Sequence, residues 1–327
     1  MDKEEMEMDM LKQLSLAGLV PVIKVNHAED AVPLCRALKN GGLPVAEITF
    51  RTDAAEEAIR LVHEALPEVL LGAGTVLTCE QADRAWNAGA GYIVAPGLNP
   101  VVVKHCMEKG YPVLPGCANP SDIELALSLG LTTVKFFPSE ALGGLKMIKA
   151  MSAPYGQVRF VPTGGITEKN LPDYLAFPKI AACGGSWMVP DDAIANKDWD
   201  RIEKLAREAV QVMLGFEVKH IGVNLESAEE AVNEGRKLAQ LLGWKVQKES
   251  EKGLFVGESF EMLKSPIRGT HGHIAVATSN VERARWHMEQ RGFTFDDATA
   301  TFTPDGRMKF IYLNEEFGGF AIHLVLK

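Results

Sequence analysis

The chain has 327 residues, 46% apolar and 24% charged, an ordinary globular balance with enough length for two separate hydrophobic cores. A formal net charge of -9 argues against nucleic acid or an anionic membrane as the main partner and points to small molecules, because a local basic pocket can still bind a phosphorylated metabolite. No apolar run approaches the roughly 20 residues that span a bilayer, and MDKEEMEMDM is acidic where a signal peptide is basic, so a cytoplasmic protein without a membrane partner is expected.

From residue 19 to about 214 one unit recurs: a short apolar strand, a polar or glycine-containing turn, then an amphipathic helix. The strands are expected at VPVIKV (20–25), VAEITF (45–50), VLLGAG (69–74), GYIVAP (91–96), YPVLPG (111–116), TTVKFF (132–137), VRFVPT (158–163) and IAACGG (180–185). Strands alternating with helices imply parallel pairing with right-handed crossovers, and eight repeats over residues 1–215 fit a (β/α)8 TIM barrel of the α/β class. A doubly wound open sheet is the alternative, but the first strand-to-helix turn has no GxGxxG.

After the helix at 198–215 the pattern changes. KHIGVNLESAEEAVNEGRKLAQLLGW (219–244) and GHIAVATSNVERARWHMEQRGF (272–293) share strand, helix and next-strand start, each followed by short alternating strands. Residues 216–327 therefore read as a smaller α+β domain of paired βαβββ units. The five cysteines lack CxxC spacing, which argues against a disulfide framework or a thiolate metal site.

Glu47, Arg51, Thr75, Pro96, Lys135, Gly164, Gly165 and Ser186 fall at or just past strand ends, the rim where barrel enzymes place their chemistry. Lys135 stands in an apolar strand, so either its ammonium snorkels to solvent or the site uses an amine whose burial favours the neutral, nucleophilic form. Glu47 could shuttle protons for such an amine while Arg51 holds a carboxylate, or the two could form a simple ion pair across a loop. The glycine pairs in PTGGIT and CGGSW could let backbone N–H groups approach an anion, or merely make tight turns.

EITFRT, GAGTVLT, GYIVAPGLNP, VKFFPSEALGG, VRFVPTGGIT and GGSWMVP together resemble the class I aldolases that cleave 2-keto-3-deoxy-6-phosphogluconate (KDPG), several of which also act on 4-hydroxy-2-oxoglutarate (KHG). The resemblance implies a Schiff-base lyase that needs no cofactor, with Lys135 as the Schiff-base lysine and Glu47 as its acid/base carboxylate. Arg51 and Thr75 match contacts to the pyruvate carboxylate, Pro96 and Phe137 match pocket walls, and Gly164, Gly165, Gly184, Gly185 and Ser186 match the phosphate side. It further implies a phosphorylated 2-keto-3-deoxy sugar acid and pyruvate as small-molecule partners, and a homo-oligomer, usually a trimer. The galactonate epimer stays open as substrate.

The tail resembles the vicinal-oxygen-chelate superfamily, which includes glyoxalase I and extradiol dioxygenases. The positions matching that superfamily's metal ligands are His220, Glu261, His273 and His323, implying a divalent metal in the second domain. His323 stands where a glutamate is more usual, and the first unit is shorter than the second. A metal-dependent isomerase or dioxygenase, a small-molecule-binding module and an oligomerisation module therefore all remain readings of the tail.

Overall fold

All eight apolar runs of the first two hundred residues become strands in the computed structural model, which describes residues 3–327. They are β1 (Leu19–Ile23), β2 (Val45–Thr49), β3 (Leu70–Gly74), β4 (Tyr92–Val94), β5 (Val113–Leu114), β6 (Gly116–Cys117), β7 (Thr133–Phe136), β8 (Arg159–Pro162) and β9 (Cys183–Gly185). The run expected as one strand at 111–116 is two short ones flanking Pro115, which has no N–H to give to the ladder. Most of the other strands are shorter than their apolar runs, because the chain leaves the ladder once turn residues are reached.

Parallel pairing runs through β5-β4-β3-β2-β1-β9 in one sheet and β6-β7-β8 in another. Parallel bridges at Phe160–Ile180 and Thr163–Gly184 join the β8 side to the β9 side, giving a TIM-type arrangement of parallel strands. Helices cover these strands: Asn99 and Asn119 each cap a helix begun by proline, at Pro100–Lys109 and Pro120–Ser128. A helix at Lys3–Ala17, which the strand-and-helix repeat does not predict, precedes β1 and buries Met10, Leu14 and Ala17, one stripe at helical spacing. This compact unit extends to Met213.

A second compact unit begins at Leu214 and ends at Lys327. Its strands are β10 (Glu217–Asn224), β11 (Val246–Glu249), β12 (Gly253–Val256), β13 (Phe260–Leu263), β14 (Gly272–Thr278), β15 (Phe295–Phe302), β16 (Met308–Phe317) and β17 (Phe320–Leu326). Together they form one eight-stranded sheet in the order β11-β12-β13-β10-β14-β17-β16-β15. One helix follows β10 (Ala228–Leu242, capped by Ser227) and another follows β14 (Val281–Glu289, capped by Asn280). Alternation sorts the two sheet faces: Met262 and Leu254 pack with Ala231 and Ala239 of the first helix, which leaves Glu261 on the opposite face. No helix among the described residues is long and apolar enough to cross a membrane.

Candidate functional site

Lys135 does not snorkel. It is 5% exposed, and its Nζ lies 3.4 Å from Oε1 of Glu47, itself 4% exposed, so the two form an ion pair inside the strand layer. Lys135 is placed by β7, where it registers with Gly116 on one side and Val161 on the other. Glu47 is placed by β2, in register with Val22 and Gly72. The loop ion pair between Glu47 and Arg51 does not form: Arg51 turns the other way and its Nε donates to Thr75 Oγ1 at 3.2 Å.

The strand beside Glu47 makes its room. A Cβ on Gly74 would lie 2.3 Å from Glu47 Oε1, and one on Gly72 would lie 2.2 Å from the Tyr92 ring. Tyr92 is fully buried and donates a long hydrogen bond, 3.5 Å, to the Ala46 carbonyl. Burial, and then the charge of Glu47, push its phenol well above the usual tyrosine range. We expect Gly74→Ala to swing the carboxylate away from Lys135 and lower kcat at least tenfold, while far-UV circular dichroism stays that of the parent. Undiminished kcat would show that the 3.4 Å pair is not needed for turnover.

Beside this pair lies a cleft of about 260 Å³. Its wall brings together Arg51, Phe137, Gly164, Gly165, Gly184, Gly185 and Ser186 from the positions singled out in the sequence. Lys135, Glu47, Thr75 and Pro96 are not on that wall. Phe137 links the two regions, its ring centroid 5.4 Å from Lys135 Nζ. Thr75 reaches the wall through Arg51, and Pro96 abuts β6, its carbonyl oxygen 2.0 Å from where a Gly116 Cβ would stand. Gly164 and Gly165 have φ of 96° and 82°, a turn that side-chain-bearing residues rarely adopt. Gly184 and Gly185 pack against Thr163 and Trp187, so Trp187 serves packing, as does Trp86, stacked 4.5 Å from Tyr111.

The cleft also contains Lys24, Thr49 and Asp191, which the sequence reading passes over. Lys24 follows β1 directly, and the strand-end criterion that selects Arg51 would have found it. Cys35, Cys106 and Cys117 are in no disulfide, and burial pushes their thiols up to about 12, so these three are packing groups rather than nucleophiles.

The family comparison applies to this first unit: the sequence model of the "KDPG and KHG aldolase" family matches residues 10–205. The chain belongs to that aldolase family. A 2-dehydro-3-deoxy-phosphogluconate aldolase of Haemophilus influenzae is 49% identical over 204 residues, which is 62% of this chain and 96% of that protein. A KHG/KDPG aldolase of Escherichia coli is 46% identical over 198 residues, 61% of this chain and 93% of that one. Among solved structures, the KDPG aldolase of Legionella pneumophila, with pyruvate captured as a covalent carbinolamine, is similar with a TM-score of 0.59 and 40% identity. That similarity covers 61% of this chain and 97% of the Legionella chain. The protein is thus a class I aldolase, a lyase that works through a Schiff base and needs no cofactor for the aldol step.

In the second unit of this aldolase the sheet gathers another set. Strands β13, β10, β14 and β17 are consecutive neighbours, and each presents one residue on the face opposite the first helix: Glu261, His220, His273 and His323. One ring nitrogen from each histidine lies within 4.8 Å of the others, and Glu261 Oε2 is 3.6 Å from His220 Nε2 and 3.4 Å from His273 Nε2. Gly222 makes the cluster possible, since a Cβ there would stand 2.1 Å from the His273 ring. Burial lowers the His220 pKa and takes that of His323 down to about 3, with His273 the next cause in both, so these imidazoles stay neutral with lone pairs to offer. His273 and His323 each hold a buried Nδ1 with no hydrogen-bond partner. His271 is not in the cluster and packs against Phe320, and Met262 and Met308 are buried core groups.

Proposed function

We propose that the first unit cleaves the C3–C4 bond of 2-dehydro-3-deoxy-6-phosphogluconate, giving pyruvate and glyceraldehyde 3-phosphate. By the same chemistry it splits 4-hydroxy-2-oxoglutarate to pyruvate and glyoxylate. The observation that carries the reading is the buried Lys135–Glu47 pair, 3.4 Å apart, beside a cleft ringed by two glycine turns.

In this mechanism Glu47 takes a proton from the Lys135 ammonium, and the neutral amine adds to the C2 ketone of the substrate. Loss of water gives an iminium, which accepts the electron pair of the breaking C3–C4 bond. Glu47, through a water, takes the C4 hydroxyl proton as the aldehyde leaves. The enamine is then protonated at C3, and hydrolysis of the iminium releases pyruvate and restores Lys135.

Arg51, held by Thr75, binds the carboxylate next to the ketone. Pro96 and Phe137 wall the carbon chain, and Gly164, Gly165, Gly184, Gly185 and Ser186 receive the phosphate through backbone N–H groups and a hydroxyl. The unit, over residues 1–215, is read as a closed (β/α)8 barrel, acting in the cytoplasm as a homo-oligomer with a trimer favoured.

Incubating the full chain with the gluconate-derived substrate, its galactonate epimer and 4-hydroxy-2-oxoglutarate, and measuring pyruvate release, tests the substrate. The gluconate-derived compound is expected to turn over fastest. Faster turnover of the galactonate epimer would reassign the substrate, and no pyruvate from any of the three would sink the reading.

For residues 216–327 a second reading is favoured by the two unpartnered imidazole nitrogens: a vicinal-oxygen-chelate-type domain of two βαβββ units that holds a divalent metal through His220, Glu261, His273 and His323. Two ligands 2.1 Å from one ion can be at most about 4.2 Å apart, so donors spread over 4.8 Å need to contract by a few tenths of an ångström. Three imidazoles and a carboxylate suit a first-row transition metal better than magnesium or calcium. When bound, such an ion supplies Lewis acidity to an oxygen ligand, as a metal-dependent isomerase or dioxygenase would require.

A further inference from the structure

We propose that Lys24 is a specificity residue of the aldolase, the side-chain cation that holds the phosphate of a phosphorylated substrate in the cleft. The proposal rests on the aldolase reading above and extends it to a residue outside the positions implied by the resemblance. Strand register aims the side chain. Val22 pairs with Glu47, so by the period of two Lys24 shares the facing of Val22, beside Thr49, and both Val22 and Thr49 line the cleft. On its other flank β1 pairs with β9, with Pro21 opposite Gly185, which brings the end of β1 next to Ser186. Lys24 therefore stands on the wall with both glycine turns.

Charge supplies the second argument. The cleft wall carries two cations, Lys24 and Arg51, against one carboxylate, Asp191, in a chain whose formal net charge is -9. Arg51 is committed to Thr75 at the ends of β2 and β3, whereas Lys24 has neither an ion-pair nor a hydrogen-bond partner among the described residues. A phosphorylated 2-keto acid carries two anions, one at each end of its carbon chain, and the cleft wall offers two cations, Lys24 after β1 and Arg51 after β2. A glycine turn alone meets a dianionic phosphate only with dipoles, and the ammonium on its flexible stem adds a full charge. In 4-hydroxy-2-oxoglutarate the second anion is a carboxylate attached directly to C4, nearer to the first than a 6-phosphate and with a smaller charge for Lys24 to meet.

Lys24→Gln and Lys24→Arg in the full chain test this. With Lys24→Gln, kcat/KM for the phosphorylated substrate is expected to fall about tenfold, mostly through KM, with a loss on 4-hydroxy-2-oxoglutarate at least about fivefold smaller. Lys24→Arg should recover most of the loss. Inorganic phosphate, titrated calorimetrically into parent and variant, should bind Lys24→Gln about tenfold more weakly, a readout that needs no turnover. If the parent binds phosphate through Lys24 but cleaves nothing, the substrate reading fails and this assignment stands. Equal losses on both substrates, or unchanged phosphate affinity, overturn it.

Discussion

Lys135→Ala is expected to lower aldol cleavage by about three orders of magnitude or more, because it removes the buried amine, paired with Glu47, that is proposed to form the Schiff base. The same substitution should abolish the adduct that borohydride traps when the parent is incubated with pyruvate, and mass spectrometry of the parent should place that adduct on residue 135. Lys135 and Glu47 compensate each other's charge in the interior, so the alanine variant leaves a buried carboxylate unpaired and should also be less stable. Glu47→Gln separates the two effects: it keeps the volume, keeps the lysine and should still yield adduct, slowly, while turnover collapses. An alanine variant with parental activity, or an adduct mapped elsewhere, would remove Lys135 from the mechanism.

Adding a first-row divalent metal is expected to stabilise the second unit. At a free ion concentration 100 times the dissociation constant, binding to the folded form contributes about 2.7 kcal/mol, which moves the melting transition of a unit this size by on the order of 10 °C. The effect should appear with zinc, nickel, cobalt or manganese and not with magnesium, and should shrink in His273→Ala and in the milder Glu261→Gln. Scanning calorimetry of the full chain, with metal content measured after dialysis, gives the result. Without any shift or retained metal, the cluster is a set of packed side chains, and the tail is better read as a binding or assembly module.

How much of this was legible in the sequence depends on whether the signal is local. The eight apolar runs behind the parallel strands are local signals, stretches of Val, Ile, Leu and Ala bounded by glycine and proline. Pro115 is as local a signal as the run that contains it, since a residue without an N–H cannot serve the ladder there, and it marks the break between β5 and β6. Local spacing leaves the partner of Glu47 open between Arg51 and Lys135, and only the family resemblance points to the lysine. Arg51 is four residues away and Lys135 is 88, and only the register of β2 decides between them by sending the carboxylate inward while the chain turns out beyond Thr49. Lys24 meets the same strand-end criterion as Arg51, but its place beside both glycine turns is not a local signal, because a lone lysine at a strand end looks like a solvated terminus until both neighbouring strands are known. The tail's four metal-type positions came from resemblance rather than spacing, and their convergence depends on sheet order, which places β13 beside β10 although β11 and β12 intervene in the chain.

Thr75 has a φ of 58°, left-handed backbone at a β-branched residue, a conformation that costs roughly 1–2 kcal/mol relative to an ordinary one. Anyone seeking a hardier enzyme would find this position early, since glycine or asparagine relieves the backbone at once. Either change would take away the hydroxyl that accepts from Arg51, so on the role proposed for Arg51 a more heat-resistant protein would be obtained at the expense of its grip on the substrate. Thermostabilisation of this aldolase should therefore begin away from the end of β3, and libraries screened by melting temperature alone are biased toward damaging the mouth of the cleft.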